Sequence, residues 1–150
     1  MVQAMRYDGE AFWAAMDRAL ESGVLDDEEQ AEVYSQLAFH TTLRSGMWRT
    51  RPRRDLVASW VERAMELTAP GTETQARAVI ALAYSEPGRA DYATEAVVLA
   101  DRLGDVRMRS HALGVQANSA FEHGDFHGSA VFMERRLELA AEIDDPDHLC

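Results

Sequence analysis

Apolar residues recur along this chain every three or four positions, which is the spacing of one face of an α-helix. The first such stretch covers residues 8–22, and its apolar positions are Phe12, Trp13, Met16 and Leu20. No stretch alternates apolar and polar residues between turn signals, as a half-buried strand would. The pattern therefore predicts a chain built from helices alone.

Six further helical stretches follow, separated by short turns rich in Gly, Pro and Asp. Small side chains are frequent at their inward positions, and these permit close packing between helices. We therefore predict seven helices in antiparallel pairs. The predicted inward residues of the six stretches are Val33, Leu37, Phe39 and His40; Leu56, Trp60, Ala64 and Leu67; Ala76, Val79, Ile80 and Ala83; Ala93, Ala96, Val97 and Ala100; Leu113, Ala117, Ala120 and Phe121; and Ala130, Met133, Leu137 and Ala140.

Capping residues mark the predicted starts of the second, third and fourth helices. Asp26 and Glu29 have the spacing of a capping box, in which two side chains satisfy free backbone N–H groups at a helix start. Thr72 and Gln75 repeat that spacing. Pro52 suits the first turn of the third helix, where its missing N–H costs nothing.

Glycine followed by aspartate marks two later boundaries. Gly104 is expected to end the fifth helix, and Asp105 is expected to cap the sixth. Gly124 and Asp125 repeat this arrangement before the seventh helix, and the turn at Gly124 requires a positive φ. Residues 144–146 are expected to end the seventh helix, and an eighth would begin at Asp147.

The charge of the chain excludes several classes of function. The chain has 150 residues, enough for one domain with a buried core, and its formal net charge is −11. An acidic surface opposes contacts with phosphate, so nucleic acid is not an expected partner. All 15 basic residues are Arg, and without Lys there is no phosphate-binding loop of the Walker type and no Schiff-base lysine.

Two further features limit the compartment. Cys150 is the only cysteine, so the chain holds no internal disulfide, which suits a cytoplasmic protein. No apolar run is long enough to cross a bilayer, and no secretory signal is visible at the amino end. We therefore expect a cytoplasmic protein that does not enter the membrane.

One short segment departs from the acidic character of the chain. It contains five arginines and one tryptophan, and these are the candidate partner-binding residues: Arg44, Trp48, Arg49, Arg51, Arg53 and Arg54. An anion-binding patch is the functional interpretation, with Trp48 exposed as an anchor. A solvated loop that balances the acidic helices nearby is the simpler one, since charge runs usually face water.

No catalytic, cofactor or metal site is predicted. His123 and His127 are four residues apart, but Gly124 and Asp125 break the helix between them. The acidic residues between 144 and 148 lack the calcium-loop pattern and are better explained as a turn with a helix cap. No nucleophile elbow occurs either.

Similar segments recur at a spacing of roughly 34 to 40 residues, which is typical of stacked helix pairs. Residues 65–69, 97–101 and 138–142 each close an apolar helix before a Gly or Pro break. Gly124-Asp125-Phe126 resembles the Gly-Asp-aromatic turn of tetratricopeptide-type repeats, with Ala112-Leu113 and residues 137–140 resembling the flanking helices. The resemblance covers residues 30–148. The helix after the turn is longer than in the tetratricopeptide pattern. This longer repeat is similar to the repeats of bacterial multidomain signalling ATPases that carry cyclase or DNA-binding output domains.

The resemblance implies a right-handed superhelix of antiparallel helix pairs, forming a single domain over residues 1–150. It also implies a fragment, or a stand-alone relative, of a longer repeat array. We expect a non-catalytic interaction or regulatory scaffold that holds a protein or peptide, including a fused ATPase or output domain. The alternative is an effector-sensing arm of a transcriptional or nucleotide-cyclase regulator. A scaffold should show an open groove, and a sensor a closed apolar pocket.

Overall fold

The computed structural model describes residues 8–143, apart from the side chain of Ser45. This part of the chain holds seven α-helices, one short 3-10 helix and no strand, which confirms the all-α prediction there. The elements are α1 (Gly9–Glu21), α2 (Asp27–Leu43), the 3-10 helix (Ser45–Met47), α3 (Arg54–Leu67), α4 (Glu73–Ser85), α5 (Ala90–Leu103), α6 (Val106–Glu122) and α7 (Phe126–Ala140). The predicted features at residues 144–148 lie outside the described residues.

The helices group into two compact units, the first ending at Ala81 and the second beginning at Leu82. In the first unit α2 packs along α3, and α1 also contacts α2. In the second unit α6 packs against both α5 and α7. The helix α4 contributes residues to both units. The single domain and the superhelix remain predictions.

Aromatic side chains form much of the core of the first unit. Phe12 is almost fully buried, and its ring meets the ring of His40 edge-on at 5.4 Å between centroids. Trp13 and Trp60 make a similar contact at 6.0 Å. Such edge-to-face pairs stabilise a core beyond the area that they bury. Leu37 is also fully buried, as its helical spacing predicts.

Small residues let the helices of the second unit approach closely. Ala96 and Ala100 of α5 and Ala117 of α6 are buried, as predicted. There is no room for a side chain at Gly114. A Cβ atom there would lie 2.5 Å from the Tyr84 hydroxyl oxygen and 3.3 Å from a guanidinium nitrogen of Arg136. Because Gly114 has no Cβ atom, the Arg136 side chain of α7 can lie against α6 at this position.

The helix caps follow the sequence with two exceptions. Asp26 and Glu29 form the reciprocal capping box. Thr72 Oγ1 accepts from the Gln75 N–H at 3.2 Å, but the Gln75 amide oxygen accepts from the N–H of Gly71 rather than Thr72, so this box is incomplete. The predicted place of Pro52 within the first helical turn is wrong, because α3 begins two residues later at Arg54.

The turn at Gly124 has the geometry that the sequence predicts. Its φ is +78°, and its N–H donates to the Phe121 carbonyl oxygen at 3.0 Å, while the N–H of Asp125 donates to the Ala120 carbonyl oxygen at 2.9 Å. These two hydrogen bonds form a Schellman motif. Asp125 then caps α7 by accepting from the Gly128 N–H at 2.8 Å.

Replacing Gly124 by Val is expected to destabilise the protein by about 1.5 kcal/mol, because a side chain in the left-handed region strains the backbone. Gly88→Val is the matched control, since the φ of Gly88 is not positive and the space around it is open. Thermal unfolding followed by circular dichroism compares both variants with the parent. Equal melting temperatures for Gly124→Val and the parent would contradict this role of the turn.

Candidate functional site

The structure keeps most of the predicted arginine segment at the surface. Arg44 lies half-buried at the end of α2, whereas Arg49, Arg51, Arg53 and Arg54 are exposed. We call residues 49–54 the arginine loop. The four exposed guanidinium groups stand within six residues of one another in sequence, so this loop carries the densest positive charge in the chain.

Trp48 is buried, so its predicted role as an exposed anchor is wrong. Only 8% of its surface is accessible. Gly9, at the start of α1, explains this position: a Cβ atom there would lie 2.5 Å from an indole carbon of Trp48 and 2.9 Å from the Met47 carbonyl oxygen. The bare backbone of α1 therefore forms one wall of the tryptophan site, a long-range contact that local sequence does not reveal.

Glu10 fixes the beginning of the arginine loop. Its carboxylate accepts hydrogen bonds from the backbone N–H groups of Arg49 at 3.0 Å and Thr50 at 3.2 Å. Hydrogen bonds from its own backbone and from Thr50 lower the pKa of Glu10, and the charge of Arg49 adds to the effect. The loop is thus held at one end by α1.

The exposed arginines are partly balanced by nearby carboxylates. Arg53 pairs with Asp55 at 3.0 Å, and both side chains are largely in water, where such a pair contributes little to stability. The loop can attract an anionic partner by its charge. Its exposure also agrees with the solvated loop of the simpler interpretation.

A second surface lies on α7, where four apolar residues follow each other along one face. Phe126, Ala130, Met133 and Leu137 are spaced four, three and four residues apart. We call them the α7 stripe. Their exposed fractions are 65% for Phe126, 39% for Met133 and 59% for Leu137, and Ala130 is exposed as well. Large exposed apolar residues in one row are typical of interaction sites.

The prediction that Ala130, Met133 and Leu137 face the core is therefore wrong. Ala140, the fourth residue predicted to face the core, is buried as predicted, and on the side of α7 next to the stripe Arg136 lies half-buried over Gly114. Helical spacing correctly shows that these apolar residues share a face. It does not show whether another helix covers that face, and among the described residues none does.

Phe121 extends the exposed apolar surface across the turn. It was predicted to face inward, but 58% of it is accessible, so that prediction is also wrong. Its ring meets the ring of Phe126 edge-on at 5.3 Å between centroids. The two rings thus join the end of α6 to the α7 stripe. Three of the four stripe residues, Ala130, Met133 and Leu137, are ones that the sequence placed in the core.

Acidic side chains border the α7 stripe on one side. Glu134 and Glu138 are exposed and four residues apart, so they lie next to each other on α7. We call them the acidic rim. On the other side of the stripe the helix turns toward α6, where Arg136 is half-buried. The accessible edge of the apolar row therefore carries Glu134 and Glu138, and the exposed Arg135 lies beyond them on α7.

A small groove in the second unit lies beside these features. Its volume is about 250 Å³, and it is open to solvent. Ala93 and Thr94 of α5, Gln116 and Ser119 of α6, and Phe132 of α7 line it. A groove of this size falls below the usual range for drug-sized ligands, and its openness differs from the closed apolar pocket expected of a small-molecule sensor.

His123 and His127 lie on either side of the Schellman motif between α6 and α7. The Nδ1 atom of His123 lies 2.7 Å from the Ser119 carbonyl oxygen, so this ring nitrogen is engaged at the end of α6.

Within residues 8–143, no three His, Cys, Asp or Glu side chains are grouped as metal ligands. In the same range no helix combines the length and the apolar character needed to cross a membrane.

Comparisons of the chain with the models of known protein families, with curated proteins and with solved structures gave no match. The interpretation of the two surfaces therefore depends on their own chemistry.

Proposed function

We propose that this protein is a non-catalytic interaction scaffold that holds a protein partner on the α7 stripe. The observation that carries the proposal is the exposure of Phe126, Met133 and Leu137 in one row. Burying such a row in an interface removes apolar area from water, at roughly 25 cal/mol per Å² of gross gain. Fully buried apolar anchors of this kind provide most of the energy in many interfaces.

The proposal includes a tetratricopeptide-like arrangement in the cytoplasm. It is supported by the short turns between helices, by the Gly124-Asp125 turn and by the small inward residues of α5 and α6. A partner in such an assembly would be a separate protein or an ATPase or output domain on a longer chain. The effector-sensing alternative would need a closed apolar pocket, and the groove lined by Ala93 and Phe132 is open and small.

Affinity capture from a lysate of the source cells tests this proposal. The bait is the full chain, and the stripe variant carries Met133→Gln and Leu137→Gln, which are isosteric or nearly so and replace exposed residues. A specific partner should be captured by the parent and reduced about tenfold or more by the stripe variant, since two central anchors are lost.

Two further variants make the capture experiment decisive. Val24→Gln with Val98→Gln is the matched control, because both valines are exposed and lie outside the stripe, and capture should be unchanged. Arg51→Gln, Arg53→Gln and Arg54→Gln together test the arginine loop. Loss of capture in the arginine variant alone would move the contact to that loop, and equal capture by parent and stripe variant would remove the α7 stripe from the proposal.

A further inference from the structure

We propose that the partner segment that occupies the α7 stripe is an amphipathic helix whose apolar row is bordered by Lys or Arg. This inference rests on the proposed function and specifies the chemistry of the same site. It combines three features of the second unit: the spacing of the stripe, the position of the acidic rim, and the charges that two copies of the chain would bring together.

The spacing of the stripe fits a helix better than an extended peptide. The intervals of four, three and four residues between Phe126 and Leu137 are those of a helix–helix seam. The row spans about 17 Å, given a rise of about 1.5 Å per residue. An extended segment needs unpaired backbone groups of a sheet edge, and α7 satisfies its own backbone, so side-chain packing is what this surface offers.

The acidic rim selects the charge of that helix. Glu134 occupies a position that flanks an apolar seam, where the residues of a partner helix approach most closely, and Glu138 lies one turn further along, next to Glu134. Basic residues at the matching positions would form ion pairs across the seam, and acidic residues there would be repelled. The formal charge of −11 on the whole chain adds a long-range attraction for a basic segment.

A second copy of this chain is a poor occupant for the same reason. In an antiparallel pairing that sets Phe126 of one copy against Leu137 of the other, the Glu134 side chains of both copies lie on the same side of the seam, five residues apart along it. The pairing thus brings two carboxylates of like charge to one side of the seam, where they repel each other. The acidic rim therefore favours a different protein over self-association.

A display selection tests this inference directly. The probe is a library of helical peptides of about 18 residues, with Leu fixed at a seam spacing and the flanking positions varied among Lys, Glu, Gln and Ser. Selection on the full parent chain should enrich Lys at the flanks. On a rim variant with Glu134→Gln and Glu138→Gln, which exchanges exposed residues only, that enrichment should disappear.

Binding constants of one selected peptide complete the test. Exchange of its flanking Lys for Glu should weaken binding to the parent about tenfold or more, and added salt should weaken the Lys form, because the attraction is electrostatic. The stripe variant should also lose about tenfold or more.

The outcomes separate this inference from the proposed function. Peptides that need the stripe but show no preference for Lys would overturn the inference and leave the proposed scaffold in place. A library that gives no binder sensitive to the stripe variant would overturn the inference and remove the stripe from the proposed function. A dimer of the parent in sedimentation equilibrium, absent from the stripe variant, would replace the basic helix with a second copy.

Discussion

Replacement of Arg77 by Met is expected to lower the free energy of unfolding of the first unit by about 2–3 kcal/mol, because it leaves two carboxylates without their cation. The Arg77 side chain is only 10% exposed and reaches Glu32 at 2.5 Å and Glu73 at 2.6 Å. The guanidinium group also donates a hydrogen bond to the Ser35 hydroxyl oxygen at 3.3 Å. Met fills a similar volume, so the loss comes from charge rather than from a cavity.

The pKa shifts of Glu32 and Arg77 indicate how their ion pair offsets the cost of burying charge. Burial alone would raise the pKa of Glu32, but hydrogen bonds from Arg77, Gln36 and Thr74 lower it overall. Burial would likewise lower the pKa of Arg77, and its two carboxylate partners raise it. Both carboxylates remain about half exposed, so water takes up part of the stranded charge. The expected loss therefore lies at the lower end of the values found for buried pairs.

Urea unfolding at neutral pH, followed by tryptophan fluorescence, measures this effect. The three tryptophans, at positions 13, 48 and 60, all lie in the first unit, so the signal reports the unit that contains Arg77. Arg63→Met is the matched control: its pair with Glu66 is exposed on both sides, and a much smaller loss than that of Arg77→Met is expected.

A double variant distinguishes stranded charge from lost packing. Arg77→Met combined with Glu32→Gln removes the more buried of the two unpaired carboxylates, so it should recover about 1 kcal/mol relative to Arg77→Met alone. Equal stability of Arg77→Met and Arg63→Met would show that the network around Arg77 contributes no more than a surface pair.

The local features of this fold could be predicted from the sequence because they are encoded within a few residues. The capping box at Asp26, the cap at Asp105 and the Schellman turn at Gly124 each depend on a side chain and on backbone groups no more than a turn away. Helical spacing also identified Leu37 and Trp60 as core residues. The all-α architecture follows from such signals.

The errors occur where a contact comes from a distant part of the chain. Trp48 is buried because Gly9, at the start of α1, packs on its indole ring, and nothing near Trp48 in sequence indicates that neighbour. The α7 stripe has the spacing of a core face, but that spacing says nothing of what covers it. The Arg77 network likewise joins residues more than forty positions apart, at Glu32 and Ser35.

The two candidate surfaces, the arginine loop and the α7 stripe, differ in what the sequence could show. The arginine loop was visible as a composition anomaly, and four of its arginines are indeed exposed, with Glu10 holding the loop at one end. The α7 stripe was visible as a pattern but assigned to the interior. An apolar face becomes a candidate site only when its exposure is known, so the better-supported surface required the structure.

Acidification from pH 7 to pH 5 is expected to destabilise the first unit by about 2 kcal/mol through His40 alone. Burial, followed by the positive charges of Arg44 and Arg77, lowers the pKa of His40 from 6.5 to about 4. The ring lies between Phe12 and Phe39, and its Nδ1 has no hydrogen-bond partner among the described residues. Burial and the two arginine charges therefore disfavour an imidazolium ion at this position.

The sign follows from which state takes up the proton first. Above pH 6.5 both the folded and the unfolded His40 are neutral, so the contribution to stability is constant. Between pH 6.5 and about 4 only the unfolded state is protonated, and each pH unit costs about 1.36 kcal/mol. Below that range the folded state binds the proton too, and the loss stops growing. The lowered pKa of Glu32 causes a separate loss at lower pH.

Urea unfolding of His40→Gln across this pH range isolates the effect. The parent should lose about 2 kcal/mol more than His40→Gln between pH 7 and pH 5, because Gln does not titrate. His127→Gln, which changes an exposed histidine near the start of α7, should keep the full slope of the parent. Parallel slopes for the parent and His40→Gln would mean that the folded state accommodates a protonated His40, and that burial among aromatic rings does not hold its pKa down.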